Sequence, residues 1–275
     1  MFKIYDLNMK EIPFPEGVMP LEIFVGSVGK ERSVDTVDGR PGVVDYGFNY
    51  IDRPVSLFLR IKATDAVDFR LLRNEVFATF DVGSAFYVAE ADVPSRVLKV
   101  VVDESYIPDR LTEEYADFDI NCRTLDSVFW ESKYTTLELH DSGYSATAEK
   151  YGLVDNIDDE KVKYRFTESN FSVYNAGNVT VEPESMYLRI IASVVTSSNN
   201  FTIRNKTTGD EFVLNRSSSG YHVRLIGMIP SMGSINNIFR DTNRRFISLA
   251  PGDNEFEILN GTFNEISFDF KYLYK

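Results

Sequence analysis

Alternation of apolar and polar residues with a period of two runs through most of the chain, and it constrains the fold more than any single motif. The segment VSLFLRIK (residues 55–62) is apolar at every second position, with Arg60 and Lys62 on the other face. The segment ADFDINCR (116–123) repeats the pattern and puts Cys122 on its apolar side. Strands with one buried face have this pattern. We therefore expect a mainly β protein in which Cys122 is a buried core thiol.

One segment, TDAVDFRLLRNEVFATF (64–80), has helical periodicity instead. Thr64 is the expected N-cap, and acidic residues follow in the first turn. One apolar stripe comprises Phe69, Leu72, Val76 and Phe80. Val67 and Leu71 lie nearly opposite this stripe, which gives the helix a second apolar side. That side contacts either another layer of the same domain or another subunit, and the pattern leaves both alternatives open.

A polar stretch near the middle of the chain separates two sets of expected strands. We expect an N-terminal β domain with one helix at 1–135, a linker or crossover at 136–162, and a β-sandwich at 163–275. The strands expected in the second half are Tyr187–Val195, Phe201–Asn205, Glu211–Asn215, Tyr221–Ile226, Phe246–Leu249, Glu255–Leu259 and Ile266–Tyr272.

The stretch VDGRPGVVDYG (37–47) contains three glycines: Gly39, Gly42 and Gly47. Their spacing fits neither glycine pattern of phosphate-binding loops, and extended sequence rather than a helix follows them. Asp38 and Asp45 would also repel a phosphate. We expect a structural loop in which glycine serves backbone angles and not ligand contact.

Composition excludes several classes of function. The chain has 42 acidic and 29 basic residues, a net charge of −13, which argues against affinity for nucleic acid or anionic membranes. A single cysteine forms no intrachain disulfide, and two histidines build no zinc site without carboxylates. Neither His140 nor His222 accompanies a nucleophile motif. The start lacks a signal peptide's apolar stretch. We expect no catalytic residues, metal or cofactor, and folding in a cytoplasm.

The order of several segments resembles the distal tail proteins of long, flexible-tailed phages that infect Gram-positive bacteria. The resemblance rests on GRPGVVDYG (39–47) running into FNYIDRPVSLFLRIKATD (48–65), on the helix, and on YADFDINCRTLDSVFW (115–130). In the second half it rests on SVYNAGNVTVEPESMYLRI (172–190) and on ISLAPGDNEFEI (247–258). It covers nearly the whole chain.

The resemblance implies a non-enzymatic hub in the virion, at the tail tip, assembled in the host cytoplasm. In that family the first domain forms a six-fold ring around a pore for DNA, and a galectin-like β-sandwich projects outward. The implied partners are copies of the chain itself, the tail tube protein, a tail-associated or tail fibre protein, and a receptor-binding protein. The three glycines would then shape a loop of the ring domain. Val67 and Leu71 are our prediction for the ring interface.

A second hypothesis makes the C-terminal sandwich a carbohydrate-binding module for host cell-wall saccharide. Such a site needs an exposed aromatic ring flanked by polar side chains on one sheet face. The residues that would supply it are Tyr187, Arg189, Tyr221, His222 and Arg224. Ordinary strand alternation also explains their spacing.

Overall fold

A computed structural model describes residues 1–81, 85–142 and 157–275 of the chain. These residues form two compact units, Met1–Trp130 with Lys275, and Glu131–Tyr274. The domain boundaries expected from the sequence stay a prediction, because residues 143–156 of the expected linker lie outside the described part. No helix in the described part is both long and apolar enough to cross a membrane.

The first unit is built on one antiparallel sheet and one helix. Its elements are β1 (Phe2–Tyr5), β2 (Glu11–Ile12), β3 (Val18–Val25), β4 (Gly29–Thr36), β5 (Val43–Ile51), β6 (Pro54–Lys62), α1 (Ala66–Phe80), β7 (Phe86–Glu90), β8 (Arg96–Val102), β9 (Asp109–Arg110) and β10 (Tyr115–Thr124). Seven strands pair in the order β2-β1-β7-β8-β10-β6-β3, and β9 pairs with β10. Among the strands that the structure describes, β4 and β5 pair only with each other. They therefore form a separate two-stranded hairpin.

The core of the first unit lies on the alternating face that the sequence predicts. Strands β6 and β10 pair antiparallel, with Leu59 opposite Phe118 and Val55 opposite Cys122. Leu59 is completely buried and Cys122 is nearly so. Burial raises the pKa of the Cys122 thiol to about 12, so this thiol stays protonated and unreactive at neutral pH. The prediction of a buried core thiol is confirmed.

The predicted helix is confirmed, but its N-cap is Asp65 rather than Thr64. The Asp65 carboxylate accepts hydrogen bonds from the backbone N–H groups of Val67 and Asp68 at 2.7 and 2.8 Å. The Asp68 carboxylate in turn accepts bonds from the backbone N–H and the hydroxyl of Thr64. Hydrogen bonding from Thr64 lowers the pKa of Asp68. Thr64 thus supports the cap from one position outside it.

The second unit is a β-sandwich of a five-stranded and a four-stranded sheet. Its elements are β11 (Trp130–Ser132, at the boundary), β12 (Arg165–Phe166), β13 (Asn170–Asn175), β14 (Leu188–Ser197), β15 (Phe201–Asn205), β16 (Glu211–Leu214), β17 (Ser218–Ile226), β18 (Ile229–Met232), β19 (Gly252–Leu259), β20 (Glu265–Phe270), β21 (Leu273–Tyr274), and short 3-10 helices at Asp159–Lys161 and Phe239–Asp241. The sheet orders are β12-β20-β14-β17-β18 and β13-β19-β15-β16. Residues 136–142 are also helical.

Aromatic rings join the two sheets of the sandwich. Phe256 of β19 and Phe268 of β20 approach to 4.8 Å between ring centroids, and Phe171 of β13 lies 5.8 Å from Phe268. All three rings lie between the sheets, where Phe256 and Phe268 are almost fully buried. The expected fold class is confirmed: the chain is mainly β, with a helix in its first half and a sandwich in its second.

One predicted strand of the second half, Phe246–Leu249, is wrong. Only Leu249 forms a β-bridge there, and its partner is Val181 outside any strand. Arg244, just before the segment, has a φ of 61°, which interrupts an extended path. The sequence did not predict β12, β13, β18 and β21. Of these, β12 and β18 lie at the two edges of the five-stranded sheet, and β13 lies at an edge of the four-stranded sheet.

Candidate functional site

The β4–β5 hairpin, including its turn, exposes several large apolar side chains. Its exposed apolar side chains, each between 38% and 67% accessible, are Val34, Val37, Val43, Tyr46, Phe48, Tyr50 and Ile51. Exposed apolar side chains in this number on one element are typical of an interaction surface in a soluble protein. We call these side chains the hairpin surface.

Basic side chains cover part of the hairpin surface. Lys30 pairs across the strands with Tyr50, and Arg32 pairs with Phe48. The Lys30 ammonium lies 4.6 Å from the centroid of the Phe48 ring, within the range of a cation–π interaction. Arg32 also forms an ion pair with Asp45 at 2.5 Å. This part of the hairpin therefore offers cations next to aromatic rings.

Arg53 fixes the base of the hairpin to the sheet. Its Nε donates a hydrogen bond to the carbonyl oxygen of Gly26, the residue that follows β3, at 2.5 Å. Its backbone N–H donates to the hydroxyl of Thr124 on β10. Burial lowers the pKa of this guanidinium. Tyr50 adds an edge-to-face contact with buried Phe129. These contacts of Arg53 and Tyr50 attach the base of the hairpin to the rest of the first unit.

The three glycines of the predicted loop lie in this hairpin. Gly39 and Gly42 are in the turn, with φ of 79° and 89°, while Gly47 lies inside β5 with φ of 105°. A Cβ atom at any of them would meet no atom within 4 Å. Backbone angle, rather than space, therefore favours glycine at these positions. The turn is shorter than the loop expected from the sequence, because β5 begins at Val43.

Helix α1 presents a second exposed surface. Its buried side chains are Phe69, Leu72, Val76 and Phe80. On the other side Val67 is 67% and Leu71 58% exposed, and Arg70 is exposed between them. Residues 67, 70, 71 and 74 follow helical spacing, so Asn74 continues the row. We call these four residues the helix stripe.

A cavity of about 920 Å³ opens at the end of the sheet where β6 begins. Its apolar wall includes Phe24, which is 57% exposed, and Pro54. Its acidic residues are Asp52, Glu90, Asp103 and Glu104, against the single basic residue Arg123. Arg123 contacts Asp103 and lies 3.8 Å from Asp52. We call this site the acidic cavity.

In the second unit, Tyr187 and Arg189 of the predicted saccharide face converge on one carboxylate. The Tyr187 hydroxyl donates to Asp269 at 2.7 Å, and an Arg189 nitrogen lies 3.1 Å from the same carboxylate. Asp269 is 5% exposed. Burial, and then the bond to Asp269, raises the pKa of Tyr187 to about 12. Tyr187 and Arg189 are therefore both engaged with a buried carboxylate of their own unit.

The other three residues of that face lie on β17. Cross-strand pairs put Arg189 opposite Ile226 and Ile191 opposite Arg224, so the two arginines share one face. Arg224 donates a hydrogen bond to the carbonyl oxygen of Gly233. His222 follows the alternation of Arg224, whereas Tyr221 follows that of buried Val223 and Leu225. The saccharide face stays a prediction.

The described part of the chain contains no cluster of three or more potential metal ligands. His140, one of the two histidines, lies with its Nδ1 3.4 Å from the carbonyl oxygen of Val162. The structure thus brings neither histidine into a described group that resembles a metal or catalytic centre.

Comparison with known proteins identifies the first unit. Residues 16–122 match the family model of the phage tail protein RIFT-related domain. These residues, fewer than half of the chain, are similar to a phage tail protein domain. They begin just before β3 and end in β10, so they contain the hairpin surface and the helix stripe. No curated protein matches the chain.

Solved structures extend this similarity to the whole fold. SPP1 Dit, described as a paradigm of the hub adsorption apparatus in Gram-positive infecting phages, aligns with a TM-score of 0.69 at 12% identity. The alignment covers 99% of this chain and 100% of that one. A chain of the phage p2 baseplate, in its activated conformation with Sr, aligns at 9% identity over 98% of this chain and 97% of that one, with a TM-score of 0.45. The resemblance to the distal tail proteins is confirmed.

Sequence reasoning missed the acidic cavity and most of the hairpin surface. The acidic residues of the cavity come from the ends of different strands and share no local motif. The sequence of β5 did indicate an apolar strand, through Val43, Val44, Tyr46, Phe48 and Tyr50. The polar, glycine-rich residues before and within it favoured the prediction of a loop instead. Of the exposed surfaces between residues 16 and 122, only the helix stripe was predicted from periodicity.

Proposed function

We propose that this protein is the structural hub of a phage tail tip, a ring of six copies that joins the tail tube to the host-recognition proteins. The RIFT-related domain supports a tail role, and the fold shared with SPP1 Dit supports a hub role in particular. The partners would be the tail tube protein, a tail-associated or tail fibre protein, and a receptor-binding protein. The protein would act in the virion after assembly in the host cytoplasm.

The hairpin surface is the observation that carries this proposal. It is apolar and projecting, and it contributes little to the core of its own unit, so its burial requires another molecule. The helix stripe adds a second exposed apolar surface on a different element. A ring made of one chain needs two different surfaces on each copy. The first unit offers them.

A ring with a pore for DNA also suits the charge of the chain. At a net charge of −13 the protein has little general affinity for phosphates, and carboxylates on a pore wall would keep the polymer moving. This role needs no catalysis, metal or cofactor.

Copy number tests the proposal most directly. Native mass measurement of the purified protein over a concentration series, together with electron microscopy of isolated tail tips, should give six copies arranged around an axis. A tail tip with another copy number, or without this protein, would refute the hub.

A further inference from the structure

The acidic cavity carries more negative than positive charge. Arg123 contacts Asp103 and Asp52, but no described ion pair involves Glu90 or Glu104. The cavity therefore keeps an excess of negative charge beside the exposed ring of Phe24. A complementary occupant combines an apolar side chain with a cation.

The helix stripe has this composition. Val67 and Leu71 are its exposed apolar side chains, and Arg70 lies between them without a described ion pair. Because α1 is capped by Asp65 and packed through its opposite face, the stripe is held on a rigid element. A rigid surface loses little conformational entropy on docking.

The two surfaces lie at opposite ends of β6. The acidic cavity is lined by Pro54, Val55 and Ser56, whereas α1 follows the other end of that strand at Lys62. At about 3.4 Å per residue, these ends are roughly 20 Å apart or more. The stripe also lies on the side of α1 opposite its buried face, so one copy cannot turn its own stripe into its own cavity. Contact between different surfaces of two copies is the heterologous kind that closes into rings.

We propose that the helix stripe of one copy docks in the acidic cavity of the next, with Arg70 paired to Glu90 and Glu104 and with Leu71 against Phe24. The inference rests on the proposed ring and names its interface. A second copy is the occupant because the complementary charge and apolar surface are both present on the chain itself.

Charge reversal and rescue test the contact. Arg70→Glu and Glu104→Arg should each weaken association by about tenfold or more, because each places like charges together. The double variant, with both charges exchanged, should recover most of the association. The matched controls Lys10→Glu and Glu16→Arg alter exposed charges elsewhere in the same unit and should leave it unchanged. Loss of association without rescue in the double variant would overturn the pairing.

Disulfide trapping distinguishes a wrong interface from the absence of a ring. Because Cys122 also lines the cavity, the variants are made with Cys122→Ser. Arg70→Cys and Glu104→Cys, mixed and oxidised, should then form a cross-linked pair that neither forms alone. One chain carrying both cysteines should give a ladder that ends at six. If the assembled ring has six copies but no such cross-link forms, the ring stands and this interface is wrong. If tail tips contain no six-membered ring, the proposed function itself fails.

Discussion

Buried asparagine side chains explain, at the scale of single residues, why two motifs of the second unit stand out in the sequence. Asn254, in the stretch APGDN, is fully buried, and its amide nitrogen donates to the carbonyl oxygens of Ala250 and Gly252 at 2.8 and 3.1 Å. Its amide oxygen accepts from Ala250 N–H and from the Asn205 side chain. Asn175, in the stretch YNAG, likewise bonds the backbone of Gly177, Val179 and Leu249. Each amide replaces ladder bonds that the turn cannot make.

We expect Asn254→Ala to lower the free energy of unfolding by about 3 kcal/mol, because several buried backbone groups lose their partners at once. Urea denaturation of the purified protein measures this. Exposed Asn264 provides the control, and Asn264→Ala should change stability by about 0.5 kcal/mol or less. Equal effects of the two changes would contradict the role given to the buried amide.

Loss of the helix cap should have a smaller effect on stability. Asp65→Ala removes the acceptor for two backbone N–H groups and should cost about 1 kcal/mol of stability. Asp65→Ser keeps a capping oxygen and should restore most of it. Thermal denaturation monitored by circular dichroism compares the two. If Thr64→Ala costs more than Asp65→Ala, the cap is assigned to the wrong residue.

At the scale of elements, α1 has one face packed in its own core and another face that is exposed. Leu71 is 58% exposed and Leu72 is 7% exposed, although the two are adjacent in the sequence. The same substitution at these two positions therefore probes two different functions of one helix.

Leu71→Glu should leave the protein folded but reduce the mass of its assembly. A carboxylate in the proposed contact between copies opposes association without entering the core. Leu72→Glu should unfold the first unit, because it buries an unpaired charge. Light scattering and circular dichroism distinguish these outcomes. A Leu71 variant that keeps its ring, or that unfolds, would show that the interface is misplaced.

For the whole molecule, the sequence predicted what local periodicity controls. The alternation in β6 and β10 fixed their buried faces and the place of Cys122, and the helical stripe fixed the core side of α1. The strand expected at Phe246–Leu249 failed because pairing partners, not periodicity, decide whether an extended segment joins a sheet. The acidic cavity was invisible for a similar reason, since its carboxylates meet only through tertiary pairing.

The expected boundary between the two domains can be tested on the whole molecule. Limited proteolysis should cut first between Ser132 and Lys161, where polar sequence replaces the alternation on either side. Mass spectrometry of the early fragments locates the cuts. Early cleavage within β6 or β14 would mean that the chain does not divide there.

The isolated β4–β5 hairpin has a consequence for the solubility of the free protein. Within the described residues each strand of the hairpin pairs only with the other, so both outer edges present unpaired backbone groups beside apolar side chains. Natural proteins usually protect such edges, because an open edge is a template for aggregation. The protein carries this hazard on the hairpin, and incorporation into the proposed assembly would cover it. Solubility during synthesis would then depend on how quickly a copy is incorporated, and an excess of free copies would be lost to precipitation.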